Sequence, residues 1–313
     1  MQAAAIMGDR PISRIGRTSG VEDLVAVLAA LGCAACGRIG FGEGAPTAGD
    51  AAVGDIAPCD PSARFGAPVP VPIDELATAA NDAALRLMPD ELSGYFSSDR
   101  TTGAAAIYLA QRDDRRAAFA ATIALDQASH PALAADGTFV LFERAGDVWI
   151  AARSAPARFA AIGVAVELSS GADDGAPFVQ ATGDDVYFAS SRDSGSSGDH
   201  DLYHSLRVDS SFVAPERLGE LATGFDEGAP VVSADGLALY FRSHRPAELA
   251  GDNIYVARRA STGDAWGPAA LVEAVNSDAG EEPSWLSVDG CRLYLTSDRS
   301  GNADVYLATR GGG

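Results

Sequence analysis

Asn276–Arg310 reads NSDAGEEPSWLSVDGCRLYLTSDRSGNADVYLATR, three short β-strands in succession. Pro283 to Leu286 is a mostly apolar run, and Asp289-Gly290 supplies a tight turn. Cys291 to Ser297 then alternates apolar and polar residues, the period of a half-buried strand. A polar loop, Asp298 to Asn302, leads to a third strand, Ala303 to Thr309. The same order returns upstream. Residues 226–258 carry Pro230, Asp235-Gly236, Tyr240-Phe241 and Ile254-Tyr255 in the same roles, and residues 173–205 carry Pro177, Tyr187-Phe188 and Leu202-Tyr203. Residues 130–152 are a shorter copy with Asp136-Gly137, Leu141-Phe142 and Val148-Trp149; residues 82–111 are the most degenerate, keeping Tyr95-Phe96 and Ile107-Tyr108. Internal repetition is therefore the organising fact, in five copies.

A fourth strand follows each of the first four copies, opened by Phe119, Phe159, Phe212 and Trp266. After the fifth copy comes only Arg310-Gly-Gly-Gly, while a spare strand, Phe65 to Leu76, stands ahead of the first. A repeat short of its outer strand at one end and carrying one at the other describes a closed ring. The expectation is an all-β, five-bladed β-propeller of four-stranded antiparallel blades, its last blade closed by the N-terminal strand.

At 313 residues the chain has room for such a ring as one domain, expected over 64–313. A net charge of −20 excludes nucleic acid as a natural partner. Residues 1–36 have the form of an export segment: Arg10, Arg14 and Arg17 precede an apolar run, Leu24 to Ala35, too short to span a bilayer. Ala29-Ala30-Leu31-Gly32-Cys33 resembles a bacterial lipobox, which implies lipidation at Cys33, with Cys36 as the alternative; an ordinary signal peptide is the competing reading. Residues 37–63, rich in Gly, Ala, Pro and Asp, read as a flexible tether. Cys33 and Cys36 form a C-x-x-C that nothing else in the sequence supports as a redox or zinc motif.

Three side-chain patterns accompany the strands. Ser-x-Arg, or a shortened form, follows the second strand, and an acidic or amide residue opens the third. Arg192 with Asp201, Arg245 with Asn253 and Arg299 with Asp304 are expected to clamp the hairpins. The first copy has Ala105-Ala106 there and is expected to lack the clamp. Acidic residues Asp82, Asp174, Asp226, Glu227, Glu281 and Glu282 precede or open first strands and are expected to gather at one channel mouth. Finally, Cys291 opens the second strand of the last blade and Cys59 lies just before its closing strand, on the same face. A Cys59–Cys291 disulfide is expected, the alternative being two free thiols.

Ser287-Val288-Asp289-Gly290, Ser297-Asp298-Arg299 and Asp304-Val305-Tyr306, with an acidic residue before Pro283, resemble the WD40-like propeller repeat of the TolB-like propellers. The resemblance spans about 64 to 310 and implies a propeller, often in a periplasmic or envelope setting, but no single activity.

The sequence has no H-E-x-x-H among its four histidines, no G-x-S-x-G elbow and no P-loop, so no metal or cofactor is expected. The functional expectation is a non-enzymatic binding scaffold, exported and anchored to the outer membrane by lipid or free in the periplasm. A monomer is expected, with an envelope protein, basic peptide or glycan as partner. The alternative is a carbohydrate-active enzyme working through paired carboxylates at the mouth.

Overall fold

The computed structural model describes residues 59–73, 80–101, 103–194, 198–247 and 249–311. The expected export segment, with Cys33 and Cys36, and nearly all of the expected tether lie outside the described residues. Among the described residues there is no helix, and every sheet is antiparallel. The fold is an all-β propeller of five blades.

Blade I consists of Asp82–Leu87, Ser93–Ser98, Ala106–Gln111 and Ala120–Asp126, and blade II of Ser129–Leu133, Phe139–Arg144, Asp147–Ala155 and Arg158–Val164. Blade III has Asp174–Val179, Asp185–Ser190 and Asp201–Val208, with an outer strand in two pieces, Ser211–Phe212 and Glu216–Arg217. Blade IV has Glu227–Val232, Ala238–Ser243, Asn253–Arg258 and a two-residue outer strand, Ala270–Leu271. Blade V has Glu281–Leu286, Arg292–Ser297 and Asp304–Thr309, and its outer strand is Val69–Pro70. Each first strand packs against the first strands of both neighbouring blades, and the circuit closes between blades V and I.

The closing strand is shorter than Phe65 to Leu76, and its sequence says why. Val69 and Pro70 pair with Leu307 and Tyr306, and Phe65 bridges to Arg310. The Val71 amide donates inward to Val305 O, so the alternating Pro68, Pro70 and Pro72 turn their amide-less side outward. Proline cannot donate to a further strand, so the outermost edge of the ring offers no N–H at these positions. Cys59 and Cys291 form a disulfide with a Cα separation of 6.2 Å, which ties residues 59–63 to blade V.

The core lies between blades. The second strands supply Tyr95-Phe96, Leu141-Phe142, Tyr187-Phe188, Tyr240-Phe241 and Tyr294-Leu295, all fully or almost fully buried. Successive residues of a strand face opposite sides, so each pair packs one side chain into each of the two adjoining interfaces. Those interfaces continue into Leu202, Ile254, Leu293 and Val305.

A register shift interrupts the first strand of every blade at the same place. In four blades the residue there has a positive φ: Ala84, His130, Ala176 and Ala229. The bulge frees amides to bond the next blade. Ala84 N donates to Thr296 Oγ1 of blade V, His130 N to Ser97 Oγ of blade I, and Ala176 N to Glu143 Oε2 of blade II. At the same register blade V has Pro283, which has no N–H, and the preceding blade offers Arg242, which has no acceptor. The register thus aligns the first strands residue by residue, and this alignment defines the channel.

Candidate functional site

The arginine motifs come first, because they remove residues from the site. Arg100, Arg192, Arg245 and Arg299 each follow the last serine of a second strand by two residues, and each Nε donates to that serine, at 3.1, 2.8, 2.9 and 2.9 Å. Each Nη2 then reaches the carboxylate that opens the first strand: Asp82 at 2.9, Asp174 at 2.6, Glu227 at 3.4 and Glu281 at 3.0 Å. The guanidinium planes lie over blade aromatics, Arg192 over Phe188 and Tyr203, Arg245 over Phe241 and Tyr255.

The structure thus pairs the clamps differently from the sequence expectation. Asp201 takes Arg217 at 2.8 Å, Asn253 donates to Gly251 O, and Asp304 accepts from Ser300. The reason is desolvation. The side chains of Asp174, Glu227 and Glu281 have no exposed surface, and a buried carboxylate needs a counter-charge. Asn253 carries no charge, and Asp304 is only half-buried. Blade I has its clamp despite Ala105 and Ala106, because the partner is Asp82. Blade II is the one without: Ala128 occupies the carboxylate position, and Arg144 the position of the serine. Of the six acidic residues expected at the mouth, Asp82, Asp174, Glu227 and Glu281 are therefore clamp carboxylates, Asp174 also bordering the mouth; Glu282 lines the mouth, and Asp226 stands behind it, bonded to His200 and Arg242.

The mouth is a cavity of ≈ 400 Å³ lined by His130, Glu143, Asp173, His200, Arg242 and Glu282 over a floor of small residues. One residue past the clamp carboxylates stand Ala83, Ser129, Gly175, Gly228 and Glu282, so only blade V projects a long side chain there. Two glycines leave room for the charged ends of their neighbours, which a larger residue would displace. A Cβ on Gly175 would meet Glu143 Oε2 at 2.4 Å, and one on Gly228 would meet Arg242 Nη2 at 2.8 Å.

His130 lies between two carboxylates from different blades, with Nδ1 3.1 Å from Glu143 Oε2 and Nε2 3.5 Å from Glu282 Oε1. Burial opposes the imidazolium, but the two carboxylates outweigh it and hold the His130 pKa up to about 10. Burial likewise opposes ionised Glu282, yet His130, Arg242 and Arg86 bring it down to about 2. Glu143 moves down for the same reason, burial again being outweighed by His130. Beside this trio runs a second chain of charges. His200 Nδ1 is 2.8 Å from Asp226, Arg242 donates to Asp226 at 2.6 and to Asp252 at 3.0 Å, and His244 Nδ1 is 2.9 Å from Asp252. Asp226 falls to about 2, since hydrogen bonds from His200 and the Arg242 charge overcome its burial.

His130, Glu143, His200 and Arg242 did not stand out in the sequence. The signal was present once the blades are aligned: Ser97, Glu143, Ala189, Arg242 and Thr296 share one second-strand position, and two of them are charged where the others are small. No group of three or more His, Cys, Asp or Glu side chains suited to a metal ion occurs among the described residues.

No family model matches this chain, and no curated protein gives a significant match. Solved structures do resemble it. TolB from Acinetobacter baumannii is 19% identical over 76% of this chain and 56% of that one, with a TM-score of 0.46. A putative TolB from Agrobacterium tumefaciens is 17% identical over 77% and 78%, with a TM-score of 0.48. The catalytic domain of the Coprinopsis cinerea GH62 α-L-arabinofuranosidase is 12% identical over 80% and 98%, with a TM-score of 0.49. These are likenesses of fold; this chain spans little more than half the length of the Acinetobacter TolB.

Proposed function

We propose that the chain is a non-enzymatic binding module of the cell envelope that receives a basic peptide segment at the channel mouth. The observation that carries this reading is the state of the mouth's charges. Each of Glu143, Asp226 and Glu282 is held ionised by a cation fixed beside it, and His130 is held protonated. Groups locked in this way recognise a ligand without reorganising, and none is poised to give and take a proton near neutral pH. The chain's charge of −20 favours a basic partner at long range. The Cys59–Cys291 disulfide supports an oxidising compartment, and hence export. A lipid anchor at Cys33 or Cys36 goes with this reading, and so does a monomer.

A carbohydrate-active enzyme is the second reading, favoured by Glu143 and Glu282 facing one cavity from separate blades. Glycoside hydrolysis asks for one carboxyl with a raised pKa, and both of these are lowered. The test is a basic-peptide array beside a glycan array and a glycosidase screen, run on wild type and Ala189→Leu. Ala189 lines the cavity without joining any ion pair. Saturable peptide binding weakened at least about tenfold by Ala189→Leu is expected, since filling the floor removes contact area. Glycan turnover, or peptide binding indifferent to the substitution, overturns the reading.

A further inference from the structure

The far end of the channel differs from the mouth. The last residue of each first strand, Leu87, Leu133, Val179, Val232 and Leu286, forms an apolar ring with one member from each blade. One residue earlier, the aligned positions hold Ala132, Phe178, Val231 and Trp285, and in blade I Arg86. Arg86 is only 3% exposed. Its guanidinium carbon lies 5.3 Å from the ring centroid of Phe178, on blade III, so the side chain reaches across the axis instead of into its own interface.

Nε, Nη1 and Nη2 of Arg86 are all buried without a hydrogen-bond partner among the described residues. A guanidinium has five N–H donors and cannot shed its charge in the ordinary range, so leaving it unmatched in an apolar layer is costly. Among the described residues Glu282 is the carboxylate whose charge acts on it, and Glu282 is already engaged by His130 and Arg242. Burial lowers the Arg86 pKa to about 10, against the pull of Glu282, which still leaves it a cation at neutral pH.

The cavity beside Arg86 measures ≈ 50 Å³, and all five members of the apolar ring line it. At roughly 10–15 Å³ per water-sized centre it takes about three to five non-hydrogen atoms. We propose that this end of the channel is a binding site for a small alkyl carboxylate, of acetate or propionate size. Its two oxygens are forked by Arg86, and its hydrocarbon end lies against the apolar ring. A planar, weakly hydrated guanidinium matches a carboxylate bidentately. The apolar ring selects against a strongly hydrated anion such as sulfate. The site is distinct from the mouth and stands whether or not a peptide binds there.

The experiment compares melting of the full chain in sodium propionate and in sodium chloride at equal ionic strength, with ¹³C-carboxyl propionate followed by NMR for direct binding. For wild type, propionate at about ten times Kd is expected to raise Tm by roughly 3 °C over chloride. In Arg86→Met the difference is expected to vanish, while Tm in chloride rises, because an apolar side chain replaces an unmatched buried cation. Arg86→Lys keeps the charge without the fork and is expected to bind propionate about tenfold more weakly; its readout serves if Arg86→Met does not fold. Equal Tm in both salts with an unperturbed ¹³C signal, or a propionate effect that survives in Arg86→Met, overturns the site.

Discussion

Blades I, III, IV and V and blade II solve the same problem differently. The four clamped blades open with a carboxylate buried against an arginine that is itself laid over aromatic rings. Blade II has Ala128 at the clamp position, and Arg144 there donates instead to the carbonyls of Asp126 and Gln127. Yet blade II supplies His130 and Glu143, two of the charged trio at the mouth. The repeat's first-position carboxylates are clamp partners, and the blade without one carries its charge on two side chains that line the mouth, His130 and Glu143. In this ring the first position of the strand meets the clamp arginine in four blades, and the next two line the mouth in blades III and IV, as Gly175-Ala176 and Gly228-Ala229.

The strongest way to break this contrast is Arg192→Ala. It leaves Asp174 buried without its counter-ion, which costs about 3–5 kcal/mol. For a ring of this size a fall in Tm of roughly 10 °C is expected by calorimetry. A loss under about 1 kcal/mol would mean that the clamp is not what holds the hairpins.

An intermediate, pH-dependent effect is expected at His130. Its folded pKa of about 10 lies above the ordinary 6.5, so the stability it contributes is complete below pH 6.5 and is lost as pH rises towards 10. Glu282, lowered from 4.5 to about 2, contributes above pH 4.5 and loses its contribution as pH falls towards 2. Wild-type Tm should therefore be highest between about 4.5 and 6.5 in the window these groups control. His130→Gln should flatten the alkaline side, and an unchanged alkaline slope in that variant would place the titrating group elsewhere.

The smallest effect belongs to Arg144→Ala, the counterpart within blade II. It removes two exposed hydrogen bonds to carbonyls and a contact over Phe142 and Trp149, and a cost of about 1 kcal/mol is expected from urea melts. A cost equal to that of Arg192→Ala would erase the distinction between the blades.

The contrast also explains what could be read from the sequence. The blades were legible because turn and packing chemistry repeats: Asp136-Gly137, Asp235-Gly236 and Asp289-Gly290 each close a first hairpin, and Tyr-Phe pairs mark the second strands. The clamp arginines were legible too, but not their partners. Ser190, for instance, pairs with both Asp174 and Asp201 in register; both are buried, and Arg192 goes to Asp174 while Arg217, from the outer strand, takes Asp201. His130, Arg242 and Arg86 were hidden because each departs from the repeat, and His130 and Arg86 also meet residues of other blades, Glu282 and Phe178, far away along the chain. Arg86 in particular sits in a column of Ala132, Phe178, Val231 and Trp285, which becomes visible only once the bulges are aligned.

The closing strand has a consequence for the order of assembly. Blades I to IV can each zip from consecutive segments, but Val69–Pro70 must wait until Asp304–Thr309 has been made. A chain emerging from a ribosome or a translocation pore therefore cannot finish folding as it appears; its earliest propeller segment stays unpaired until the last strand arrives. The three prolines then have a second use, because a waiting segment with few amides to offer is a poor template for another chain. Joining Cys59 to Cys291, 232 residues apart, belongs to the end of that sequence, when the ring has already brought them within reach.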